Sequence, residues 1–231
     1  MKTKDYMEAL ALSNPRVEFA TEHWRIYNEF VRSLMQRRDL TVRHPQEYSG
    51  QEVIKLVCSQ HPVALEETLA DPNGWKKKQR AYTAEWVEFL KREKLPVKEI
   101  DVCSAVSQKV FDALCCQDSL ESLRIKWLRC RRIDEIVRLK NLKKLFLENA
   151  SSLEDLSPLA QLEDLEVLIL GETRKIDDYS VLAALKKLKV FSICSYQTFV
   201  NTTIKVRDLD FISELPLLTY VDFADVRLKT E

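Results

Sequence analysis

The sequence predicts an α/β solenoid over residues 97–231, built of about six parallel strands with short helical or 3₁₀ turns on the convex side. An all-α capping domain is expected before it, over residues 1–96. Two observations carry this. A spaced apolar triplet recurs six times in the second half, with its central residue at 100, 123, 145, 168, 191 and 221. A fixed period of this length marks a repeat architecture. Before residue 96 that period gives way to one of 3.6 residues, the signature of helices.

In the first half, Asn14-Pro15 reads as a helix start, a cap followed by a first-turn proline. Ala20, Trp24, Tyr27, Val31 and Leu34 then fall on one stripe, so a long amphipathic helix is expected to run to about Arg38. Ser49-Gly-Gln-Glu52 matches a capping box, and Val53, Ile54, Val57 and Cys58 would continue that helix until His61-Pro62. A short helix should follow from Pro62 to about Ala70. After the turn Asp71-Pro-Asn-Gly-Trp75, a helix carrying Tyr82, Trp86, Phe89 and Leu90 is stopped by Pro96. These helices would cover the open end of the first repeat.

The strand triplets are Val97/Ile100/Val102, Leu120/Leu123/Ile125, Leu142/Leu145/Leu147, Leu165/Leu168/Leu170, Leu188/Phe191/Ile193 and Leu218/Val221/Phe223. Between them a second pattern, Leu153-Glu-Asp-Leu156-Ser-Pro-Leu159 for example, places apolar residues three apart and suits a 3₁₀ turn. The acids Glu135, Asp155, Asp178 and Asp208 stand where these turns begin and read as caps for orphan N–H groups rather than as catalysts.

The run Leu153-Glu-Asp-Leu-Ser-Pro-Leu-Ala-Gln-Leu162-Glu-Asp-Leu165-Glu-Val-Leu-Ile-Leu170 resembles the leucine-rich repeat of the short subclass found in bacterial internalins. The resemblance covers residues 97 to 231 and implies a parallel-sheet solenoid that binds protein on its concave face. One departure stands out. Three residues past the final strand apolar, where the family places Asn, this chain has Ala105, Leu128, Ala150, Thr173 and Tyr196. Its turns must be closed by backbone, hydroxyl or water partners instead.

In such a fold the residues between the triplet positions line the exposed sheet. Phe146, Val167, Ile169 and Val190 become concave neighbours with Tyr220 beyond them, and Arg124, Lys126 and Lys144 lie beside them. So contiguous an apolar patch calls for a cover, because each such side chain removed from water is worth roughly 1.5–3 kcal/mol. An external protein, a second copy of the chain, or the chain's own amino-terminal half can supply one. The leading expectation is a protein partner held by these eight residues. A homodimer through the concave face or the carboxy-terminal edge strand is a further option, since no capping helix follows Phe223. The longer loop at residues 196–205 adds Phe199 and Val200 as candidate contacts.

Little in the composition points to other functions. Lys plus Arg and Asp plus Glu are equal at 36 each, so no net field favours nucleic acid or an anionic membrane. The basic-aromatic segment 75–82, with Lys76, Lys77, Lys78 and Arg80 beside Trp75 and Tyr82, offers a nucleic-acid or nucleotide alternative. It reads more simply as a solvated helix face. Cys58-Ser-Gln-His61 has metal spacing without a second half, and vicinal Cys115-Cys116 reads as small apolar filler. No Gly-rich phosphate loop, nucleophile elbow or metal-binding histidine pair occurs. The expectation is therefore a non-enzymatic protein without cofactor or metal. The charged first residues lack a signal-peptide core and no long apolar run follows, so a cytoplasmic location is expected.

Overall fold

All six triplets form strands, and three further strands join them. In the computed structural model, which describes residues 2–20, 40–59, 71–195 and 203–229, the strands follow in chain order. They are β1 (Glu18–Ala20), β2 (Thr41–Val42), β3 (Val53–Leu56), β4 (Glu99–Val106), β5 (Ser122–Leu128), β6 (Lys144–Leu147), β7 (Val167–Gly171), β8 (Val190–Cys194), β9 (Ile204–Val206), β10 (Tyr220–Ala224) and β11 (Val226–Leu228). Nine of them make one parallel sheet in the spatial order β1-β10-β8-β7-β6-β5-β4-β3-β2, while β9 and β11 pair separately. The register joins triplet centre to triplet centre, with Leu123 beside Ile100 and Leu145, and Phe191 beside Leu168 and Val221. This is the arrangement the fixed period requires.

All four expected convex turns contain a 3₁₀ segment, at Asp134–Arg138, Ser157–Gln161, Ser180–Ala184 and Asp210–Glu214. The first repeat uses a short α-helix instead, α3 (Gln108–Leu114), with Val110, Phe111, Ala113 and Leu114 buried. Helices α1 (Thr3–Ser13) and α2 (Pro72–Arg92) precede it. Asp71 caps α2 by accepting from the Gly74 N–H at 2.9 Å, Pro72 takes the first position, and Lys91 and Arg92 stand in the last turn against the helix dipole. Its buried face, Tyr82, Trp86 and Leu90, keeps the four-residue spacing of the sequence. One core runs from Tyr6 to Val226 between the sheet and the convex turns.

The first half departs from expectation at two places. A helix was expected from the capping box at Ser49 to before His61; within the described residues the element there is strand β3, and the capping box forms earlier, between His44 and Glu47. The reason is tertiary. Ile54 and Leu56 alternate into the core and pair with Ile100 and Val102, so β3 supplies backbone partners that β4 would otherwise lack on that side. Asn14-Pro15 ends a helix rather than starting one: Asn14 is the C-cap of α1, its side chain donates to the Leu10 carbonyl at 2.9 Å, and strand β1 follows. The remainder of that expected helix, from residue 21 to about Arg38, and the expected helix after Pro62 lie outside the described residues.

The carboxy-terminal edge is also not as expected. β10 does not end the sheet, because β1 pairs with it through Glu18↔Tyr220, Phe19↔Val221 and Ala20↔Asp222. That removes β10 as a site for edge-to-edge dimerisation. Helix α1 packs the same end: the Tyr6 hydroxyl donates to Asp210 Oδ1 at 2.8 Å and accepts from the Leu209 N–H. Arg16 reaches the Leu215 carbonyl at 2.8 Å, and Thr3 Oγ1 accepts from the Leu228 N–H at 3.1 Å.

Replacing Tyr6 with Phe removes two of these contacts and leaves the buried Leu209 N–H unsatisfied, which costs about 1–3 kcal/mol. Urea unfolding should show that loss, and amide exchange should locate the faster opening at the last repeat while β5 and β6 stay protected.

Candidate functional site

Strand alternation puts one side chain from every second position on the concave face. Its central column runs Lys55, Asp101, Arg124, Phe146, Ile169, Ser192 and Asp222 across seven neighbouring strands, as the pairing register fixes. All seven are buried, from 0% exposure at Ile169, Ser192 and Asp222 to 7% at Lys55. A bare sheet face exposes such side chains; this one does not.

The apolar part of the face forms its own cluster, apart from the main core: Phe146, Val167, Ile169, Cys194 and Tyr220, with Ala20, Val190 and Ala224 against it. The sequence brought Phe146, Val167, Ile169, Val190 and Tyr220 together correctly. It expected them open to a partner, whereas Phe146 is 1% exposed and Tyr220 8%. Val190 is half-buried, Lys126 likewise, and Lys144 is exposed. The Lys126 ammonium lies 4.5 Å from the centre of the Trp127 ring.

Arg124 takes a role the sequence reading did not give it. Expected as an orienting charge for a partner, it is held inside the protein. Its Nη1 donates to Asp101 Oδ1 at 2.8 Å, its Nε to Glu148 Oε1 at 2.7 Å and its Nη2 to Glu148 Oε2 at 3.1 Å. The two carboxylates come from the neighbouring repeats on either side, 23 and 24 residues away. Burial works against the guanidinium charge, but the paired carboxylates outweigh it and hold its pKa above the ordinary arginine value. At the other side of the apolar cluster, Ser192 Oγ donates to Asp222 Oδ2 at 3.3 Å. Asp101 stands beside Arg124 in the strand register, whereas Glu148 lies one residue past its strand and went unremarked in the sequence.

Burial holds several of the thiols in their protonated form. Burial pushes Cys58 and Cys103 up to about 11 and Cys130 up to about 12, so at neutral pH each stays protonated. Cys58 instead contacts the Ser104 hydroxyl at 3.3 Å, tying β3 to β4, and Cys115 is buried at the end of α3. Gln117, unremarked in the sequence, is buried and locks α2 to the first repeat: it donates to the Glu93 carbonyl at 3.0 Å and accepts from the Leu95 N–H at 2.9 Å. Among the described residues no group of three or more metal-ligating side chains occurs, and no helix is long and apolar enough to cross a membrane.

In the basic-aromatic segment, Lys76, Lys77, Lys78 and Arg80 are exposed on α2. Tyr82 is not available to stack on a base, being buried with its hydroxyl donating to the Val57 carbonyl at 2.7 Å. Trp75 is half-buried. Phe199 and Val200 of the longer loop lie outside the described residues.

Three of the four acids assigned to the turns cap them. Asp155, Asp178 and Asp208 accept from the N–H two residues on, at 2.8, 2.9 and 3.2 Å. Glu135 instead lies inside its 3₁₀ segment and pairs with Arg138 at 3.2 Å. The absent Asn ladder is replaced in two ways. Turn amides donate to the carbonyls of neighbouring repeats, as Ala150 does to Gly171 at 2.9 Å. Asn149, one position earlier than the family pattern and at φ 50°, donates to the Lys126 carbonyl at 2.9 Å.

The family described as R13L1/DRL21 LRRs matches residues 90–173 of this chain. Internalin C2 from Listeria monocytogenes is similar at 23% identity, over 63% of this chain and 58% of that one, with a TM-score of 0.48. An internalin, inlF, of the same organism is similar at 17% identity, over 63% of this chain and 64% of that one, with a TM-score of 0.33. The chain spans less than two thirds of either internalin. No curated protein matches it.

Two outcomes follow from these contacts. Arg124→Met leaves Asp101 and Glu148 buried without their counter-charge, so unfolding free energy should fall by about 3–5 kcal/mol. Replacing all three residues by apolar ones of similar volume should recover most of that loss, read by denaturant titration. Hydrogen bonds from the Ser157 hydroxyl and N–H hold Asp155 below the ordinary carboxylate range, and those from Ser180 do the same for Asp178. Their contribution is thus complete above the unfolded value of about 4 and is lost as pH falls through the lower folded values. Urea midpoints measured from pH 6 to pH 2 should drop less steeply below pH 4 in the Asp155→Asn, Asp178→Asn chain than in the parent.

Proposed function

We propose that this chain is a non-enzymatic protein-interaction module whose partner docks on the concave side, so that it serves as a scaffold for, or an inhibitor of, another protein. The observation that carries the reading is the accessible rim beside the second, buried apolar cluster of the concave face, a cluster separate from the main core. Around that cluster the accessible members of the expected set are Lys144, Lys126 and Val190. The two lysines would give the partner orientation and association rate, with complementary acids opposite them. The other five, Arg124, Phe146, Val167, Ile169 and Tyr220, shape and stiffen the face from beneath. Repeat scaffolds suit this work, because each strand adds a contact row without altering its neighbours.

The test is capture from a native lysate by the tagged chain, followed by titration of the captured protein. Lys126→Glu with Lys144→Glu should weaken binding by about tenfold or more. Lys140→Glu with Lys186→Glu, beside the convex turns, should leave it unchanged. Equal binding by both variants, or equal loss in both, would sink the concave-face reading.

A further inference from the structure

Where α2 passes the start of α3, the two helices leave an open groove of about 710 Å³, lined between Gln79 and Lys91 on one side and by Ser107 and Lys109 on the other. Its α2 side is one continuous stripe. Arg80, Ala84, Val87 and Lys91 recur at three- and four-residue steps, so their side chains share a face of the helix. Tyr82, Trp86 and Leu90 set the buried face of α2, and the stripe lies on a different one: Arg80, Ala84 and Lys91 are exposed and Val87 is half-buried.

The floor and the rim of this groove differ in chemistry. Ala84 and Val87 offer an apolar strip, and the Thr83 hydroxyl beside them is engaged by the Cys58 carbonyl at 3.1 Å. Arg80 and Lys91, roughly 16 Å apart along the helix axis, stand at the ends of the strip with Lys109 opposite. Against these three cations the groove has the single carboxylate of Glu88. Among the described residues none of the three is ion-paired, which sets them apart from the repeat surface. There Lys94 finds Asp118 at 3.0 Å, Arg131 finds Glu154 at 2.9 Å, Lys143 finds Glu121 at 2.7 Å and Lys189 finds Glu166 at 2.9 Å. A nucleic acid suits the groove less well, because no aromatic ring among its described lining residues can take a base and Glu88 opposes a phosphate chain. An acidic peptide has what the groove lacks: carboxylates for the rim and an apolar side chain for the floor.

From these observations we infer that the groove between α2 and α3 is a docking surface for a short acidic segment of another protein, which lays one apolar side chain on Ala84 and Val87. Carboxylates on either side of that anchor pair with Arg80, Lys91 and Lys109, and cover of the strip removes Val87 from water. The groove shares no residue with the concave column, so the inference stands independently of what docks there.

Peptide titration tests it on the full chain. The probe is a fluorescent peptide with a central leucine flanked by three acidic residues on each side, followed by anisotropy and by the amide shifts of ¹⁵N protein. The expected shifts gather at residues 79–91 and 107–109. Arg80→Glu with Lys109→Glu should weaken binding by about tenfold or more, and so should serine in place of the peptide's leucine. Ala84→Glu, at an exposed position where glutamate suits a helix, should abolish binding by putting charge on the strip. Lys126→Glu with Lys144→Glu should bind the peptide as the parent does, so the groove and the concave-face reading fail separately. Shifts gathered elsewhere, no binding, or equal binding by the serine peptide overturns the inference. So does tighter binding of mixed-sequence single-stranded DNA, or groove shifts that depend on protein concentration without peptide, which would show a second copy there.

Discussion

The pairing of Glu18–Ala20 with Tyr220–Asp222 holds the molecule together from outside its own repeat series. A parallel solenoid is a one-dimensional stack in which each strand has two neighbours, except at the ends. There the last strand offers unpaired N–H and C=O groups, and the last layer of leucines faces water. In this chain three residues satisfy the edge, and α1 covers the layer with Tyr6 and Leu10. At the opposite end β2 and β3 do the corresponding work, with α2 laid over them through Tyr82 and Trp86. Both caps come from the first half of the chain.

The concave face shows two kinds of buried chemistry side by side. Phe146 and Ile169 gain by leaving water, whereas Arg124 pays for it in lost hydration and recovers that loss only through Asp101 and Glu148. An ion triad is a poor source of net stability. It is a good source of register, since its geometry is met only when three successive repeats stack in phase. Asp101, Arg124 and Glu148 each come from a different repeat, so the triad fixes their mutual alignment where leucines alone would tolerate sliding.

The repeat half was legible because its signal is redundant: six triplets say the same thing, and the 3₁₀ turns and most of their acid caps follow from it. The first half failed where pairing partners decide the outcome. Val53-Ile-Lys-Leu56 is short and apolar, and only the free side of β4 makes it a strand. Asn14-Pro15 fits the end of one helix as well as the start of another. The concave residues were found from strand alternation, yet their burial was not, because alternation says which face a side chain takes and not what lies above it. Gln117 left no trace in any pattern; its amide matters only once α2 and the first repeat are in contact.

The order of the strands in space has a consequence for the order of events in time. Tyr6 and Asp210, joined by one hydrogen bond, are separated by 204 positions in the chain, and β1 finds its neighbour only when β10 exists. During synthesis the first twenty residues must therefore wait, with Tyr6, Leu10 and Phe19 unsheltered, while the middle repeats assemble on one another through contacts about 23 residues apart. Long-range closure of this kind slows folding and exposes an intermediate to association. The middle of the solenoid can nucleate early, but the finished particle cannot exist until its earliest and latest segments meet.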